Sequence, residues 1–115
     1  MPGTKITVTE ARGTWSVRTQ DGVLVESRRA KLLHEGDLDP VVYFPPEDVA
    51  MALLERSDST TRCPHKGMAN YYNYVGQSVT IPDVAWVYES VTNPDAAPIE
   101  GHLAFYGTKA TVEQI

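Results

Sequence analysis

The stretch "TRCPHKGMANYY", residues 61–72, places the chain's single cysteine beside a proline, a histidine, a lysine, a glycine and two tyrosines. A cysteine does chemistry as its thiolate, and the ammonium of Lys66 or a protonated His65 beside Cys63 would favour that form. Nucleophilic catalysis also needs a positioned base. His65 is near in sequence, and His102 in "EGHLAFY" becomes a candidate if the fold brings it near, so Cys63 and His102 form the catalytic pair to examine. The same residues admit a noncovalent reading. Lys66 and the turn amides would hold a polar or anionic group while Tyr71, Trp86 or Tyr88 covers its apolar part. A third reading is structural. Pro64 and Gly67 suit a tight turn, Cys63 packs as a small apolar residue, and His65 and Lys66 lie at a solvent-facing tip.

Other chemistries find less in the residues. A structural zinc takes four ligands, whereas Cys63 and His65 supply two and no second Cys or His pair stands at ligand spacing. Asp37 and Asp39 in "GDLDP" have a D-x-D spacing that magnesium-dependent phosphoryl transfer uses, but an acidic turn before Pro40 accounts for it more simply. There is no G-x-G-x-x-G, P-loop or G-x-S-x-G pattern. No metal or cofactor is assigned.

The elements that would position these residues are mostly strands. "ITVTE" and "TWSVRT" are rich in β-branched and aromatic residues, and Asp21-Gly22 between two alternating runs predicts a hairpin. On the returning strand, alternation puts Val23, Val25 and Ser27 on one side and Leu24, Glu26 and Arg28 on the other. "VVYF" at 41–44 reads as a short buried strand. "PPEDVAMALLERS" changes period, and Pro46, Glu47 and Asp48 suit a first helical turn, which predicts one short helix. "DSTTRCPHKG" reads as a loop. Strands follow in "MANYYNY", "DVAWVYE" and "HLAFYG", with "TNPDAAP" as a turn-rich connection. Alternation separates Tyr71 from Tyr72 and joins Trp86 to Tyr88. The expected fold is mainly β, with curled antiparallel sheets in a sandwich or open barrel and one short helix.

At 115 residues, 42% of them hydrophobic, the chain reads as a single domain over 1–115 with enough apolar surface for one core. Its formal charge of −5 argues against a nucleic-acid partner, whose phosphates need a concentrated positive surface. No run of about 18 apolar residues predicts a membrane span, and one cysteine makes no internal disulfide. A soluble cytoplasmic protein is expected, with a small polar or anionic ligand as partner, or else a non-catalytic interaction module that uses an exposed strand edge or a homodimer surface.

The order of motifs adds to this. Trp15, "YFPPEDV", "TRCPHKGMANYY", "AWVY" and "IEGHLAFY" together resemble the domain of unknown function 427 family over nearly the whole chain. The most distinctive block is Thr61, Cys63, Pro64, Lys66, Gly67, Ala69 and Tyr71, followed by Ala85, Trp86 and Tyr88, then Gly101, His102, Ala104, Phe105 and Tyr106. The resemblance implies a mainly β domain without an assigned activity. The family is also labelled nucleotidyltransferase-like, which implies metal-binding carboxylates and a Gly-Ser phosphate loop, and this sequence has no Gly-Ser dipeptide.

Overall fold

The structure, a computed structural model, describes residues 5–115. Ten strands follow one another: β1 (Ile6–Glu10), β2 (Trp15–Thr19), β3 (Gly22–Ser27), β4 (Lys31–Glu35), β5 (Val41–Tyr43), β6 (Leu54–Cys63), β7 (Gly67–Val75), β8 (Thr80–Tyr88), β9 (Leu103–Phe105) and β10 (Thr111–Gln114). They form three antiparallel sheets, ordered β1-β4-β5, β10-β2-β3 and β6-β7-β8-β9, that do not close into a barrel. Among the described residues no helix is long and apolar enough to cross a membrane.

The expected first hairpin is present, one residue out of place. Thr19 pairs with Gly22, so Gln20 and Asp21 form the turn and Gly22 opens the returning strand. Its alternation fails at one point. Val17 pairs with Val25 and Arg18 with Val23, leaving Leu24 as the extra residue of a bulge, so that Leu24 and Val25 are both buried. A bulge re-aims the side chains that follow it, which is how β3 turns two successive apolar residues into the core.

The helix expected in 45–57 is replaced by two single 3-10 turns, Pro46–Asp48 and Met51–Leu53, and the chain then enters β6. Pro46 and the acidic pair suit the start of a helix, but the C-capping residue Val49 is extended and bridges Val25, so sheet pairing ends the turn. The expected loop "DSTTRCPHKG" is also corrected. Residues 58–63 belong to β6, whose polar residues pair with β7 along an edge facing solvent. The connection at "TNPDAAP" contains a further 3-10 segment, Pro94–Ile99, capped by the Asn93 side chain accepting from the Asp95 amide.

The β6-β7-β8-β9 sheet is covered on both faces. Ala85, Val87, Leu103 and Phe105 pack with Val17, Val25 and Phe44 on one side. Tyr71, Trp86, Tyr88 and Ala104 pack with Leu33, Tyr43 and Ile99 on the other. The edges of two sheets are stitched together where the Phe44 amide donates to the Leu103 carbonyl at 2.7 Å and the Leu103 amide donates back at 2.8 Å. This bridge sets β5 beside β9 and so fixes the distance between the β4-β5 face and the β7-β8 face.

Candidate functional site

Between those two faces lies a cleft of about 220 Å³. Period-2 alternation explains its walls. On one side Leu33 and Glu35 of β4 point the same way, as do Val41 and Tyr43 of β5. Opposite them stand Tyr71 of β7 and Trp86 and Tyr88 of β8, where Tyr71 is the register partner of Trp86. Leu38 and Asp39 from the β4–β5 loop, and Tyr106 after β9, complete the lining. Tyr72, one residue along from Tyr71, packs against the other core, as alternation requires.

Lys66 enters this cleft from the turn between β6 and β7. Cys63 pairs with Gly67, and Pro64, His65 and Lys66 form the connection, with the Lys66 amide donating to the Cys63 carbonyl at 3.2 Å. The solvent-facing tip expected for Lys66 is not what the fold builds. The side chain is 8% exposed, its Nζ is 2.6 Å from Glu35 Oε1, and the ammonium stands 5.7 Å from the centroid of the Tyr88 ring. A long apolar stem under a buried ammonium requires a partner for the charge, and Glu35, 13% exposed, supplies it. The Lys66 carbonyl in turn accepts from the Thr92 amide at 3.1 Å.

Gly67 makes that turn possible. Its φ is +131°, and an added Cβ would lie 2.9 Å from the Ser90 carbonyl oxygen. Gly67→Ala is therefore expected to lower stability by about 1–3 kcal/mol, since it combines a disfavoured backbone region with a backbone clash. A denaturant midpoint within experimental error of the wild type would sink that account.

The aromatic groups are mutually braced. Trp86 Nε1 donates to Tyr43 Oη at 3.2 Å, with the rings edge-to-face at 6.4 Å. Trp86 and Tyr106 lie 4.6 Å apart at 46°. Tyr71 Oη and Thr61 Oγ1 share a hydrogen bond of 2.8 Å. Burial pushes the Tyr43 phenol up to about 12, and burial first, then Tyr71, pushes Tyr106 up to about 12. Tyr88 is raised as well, chiefly by burial. All three stay neutral hydroxyls at neutral pH, so the cleft presents polar hydrogens on an aromatic wall without phenolate charge.

Of the residues singled out in the sequence, Lys66, Tyr71, Trp86 and Tyr88 meet in this cleft. Cys63 and His102 do not meet. Cys63 packs half-buried at the edge of the second core and lines a separate hollow with Arg62, Pro64, Met68 and Thr92. His102 lines another groove, with Glu10, Arg28, Lys31 and Pro45, and its Nδ1 is 3.1 Å from the Glu100 carbonyl oxygen. Residues 101–103 run into the β9 edge that pairs with β8 and bridges Phe44, which carries His102 away from the β6–β7 turn. Among the described residues no imidazole or carboxylate is hydrogen-bonded to Cys63, and none brings together three or more His, Cys, Asp or Glu side chains around a metal position. Asp37 and Asp39 lie in the exposed β4–β5 loop, where only Asp39 borders the cleft. Arg29 pairs with Asp48 at 2.8 Å, while Glu26 stays exposed.

Glu35 and Tyr43 were not legible as site residues, and Tyr106 stood out only as part of the motif block shared with the family. The available signals were weak: a tyrosine inside the apolar run "VVYF", and a glutamate two residues from a leucine in a segment too charged to read as a strand. No curated protein matches the chain. A family model does match residues 7–115, so the resemblance seen in its motifs is established and the chain belongs to the family described as domain of unknown function (DUF427).

Proposed function

We propose that this domain binds a small polar molecule with a flat or compact apolar part in the cleft between the β4-β5 and β7-β8 faces. The observation that carries the reading is the convergence of Lys66, Tyr71, Trp86 and Tyr88 with Glu35 and Tyr43 on one concave surface. Concave, mainly aromatic sites with a few placed polar groups are where small ligands gain both burial and orientation. The cleft is small, about 220 Å³, which suits a small metabolite or one moiety of a larger one. A cytoplasmic setting belongs to the same reading, since a lone cysteine calls for no oxidising compartment.

Anion capture by Lys66 has less support than recognition of a neutral polar group, because the ammonium is already paired with Glu35. Catalysis through Cys63 has less support still, because His102 lines a different groove. The test is a thermal-shift screen of small polar compounds on the wild type and on Trp86→Leu. A ligand at about 100 times its Kd should add about 2.7 kcal/mol of stability to the wild type, and Trp86→Leu should abolish the shift while remaining folded. If every hit stabilises Trp86→Leu as well as the wild type, the cleft is not where ligands bind.

A further inference from the structure

The charge of the ligand is written into the same cleft. Two carboxylates, Glu35 and Asp39, line it against one ammonium, Lys66. Glu35 is neutralised by Lys66, whereas among the described residues Asp39 forms no ion pair. The rest of the wall is aromatic, and the face of an aromatic ring is the negative end of its quadrupole. The protein already shows what this combination stabilises: its own lysine ammonium, seated on a carboxylate and facing the Tyr88 ring at 5.7 Å.

We infer that the cleft selects a small cationic ligand, an amine or quaternary ammonium, whose charge sits beside Tyr71 and Trp86 with Asp39 as its counter-ion, since the Tyr106 ring already faces the Lys109 ammonium at 5.5 Å. This rests on the cleft reading proposed above and adds the sign of the charge to it. An anion entering the same space would face the unpaired Asp39 carboxylate, with the one lining ammonium already engaged by Glu35. A cation meets complementary groups and leaves the Glu35–Lys66 pair intact.

Three compounds of nearly one shape separate the possibilities by calorimetric titration: choline, the neutral dimethylbutanol in which carbon replaces its nitrogen, and the corresponding dimethylbutanoate anion. Choline is expected to bind at least ten-fold more tightly than the alcohol, with the carboxylate weakest. Asp39→Asn, a change in an exposed loop, should weaken choline about three-fold or more and leave the alcohol unchanged. If the alcohol binds as tightly as choline, or the carboxylate binds best, the cationic preference is overturned while the cleft reading stands. If all three give no heat and none shifts the amide resonances of Tyr71, Trp86 or Tyr88, the cationic preference falls, while the cleft reading is decided by the screen on Trp86→Leu. Binding of choline that Asp39→Asn does not weaken also overturns the assigned counter-ion.

Discussion

Lys66→Met is expected to destabilise the domain by about 3–5 kcal/mol, because removing one partner of a buried ion pair leaves the other charge without compensation in a site that water reaches poorly. Glu35 is 13% exposed, and its Oε1 accepts from Lys66 Nζ at 2.6 Å. For a chain of this size such a loss lowers Tm by roughly 10–20 °C. Glu35→Leu alone should cost a similar amount. The double variant Glu35→Leu/Lys66→Met should recover most of it, since two apolar side chains of comparable volume leave no buried charge. Thermal or denaturant unfolding of the four proteins gives the coupling directly. Additive single losses would show that the pair is solvated enough to be an ordinary surface contact, and the account of Lys66 as the pin between the β6–β7 turn and β4 would be lost.

Phe44→Ala should have an effect of the same order, about 3–5 kcal/mol, from lost apolar burial and the cavity left behind. Phe44 is fully buried, packs edge-to-face with Phe105 at 6.1 Å, and carries the paired amide and carbonyl bonds to Leu103. Its neighbour Tyr43 faces the opposite core and holds Trp86 through the indole N–H. Loosening Phe44 therefore reaches the cleft through one residue of backbone. Phe44→Leu, which keeps most of the volume, should cost clearly less, and amide exchange at Leu103 should rise in Phe44→Ala more than in Phe44→Leu. A loss below 1 kcal/mol for Phe44→Ala would mean that this bridge lies outside the cooperative unit.

Much of the site could be read one element at a time. Tyr71 and Tyr72 fall on opposite faces and Trp86 shares its face with Tyr88, as period-2 alternation demands. Pro64 and Gly67 bracket a turn, as their types suggest, and Gly67 takes a positive φ there. Local reading failed where tertiary pairing overrode local preference. Residues 45–57 carry helix-start chemistry yet yield two 3-10 turns, because Val49 bridges Val25 and the chain is drawn into β6. Leu24 is buried against its alternation because a bulge, set by pairing with β2, shifts it inward. Residues 58–63 are polar enough to read as loop, and they lie in a strand because β7 supplies register partners for 60–63 beyond an irregularity between Arg56 and Thr60.

By itself the sequence determined the class of fold, the family, the turn that carries Lys66, and which aromatic side chains could share a wall. Those properties depend on periodicity, turn geometry and the order of motifs along the chain, which are local or linear quantities. Only the tertiary structure decided what Lys66 does. Its partner Glu35 is 31 residues away on another sheet, and nothing in the spacing of either residue encodes that meeting. The same holds for Cys63 and His102, both chemically able and placed in separate hollows. Whether two such groups meet depends on how the sheets are joined, and here the join is the bridge between Phe44 and Leu103.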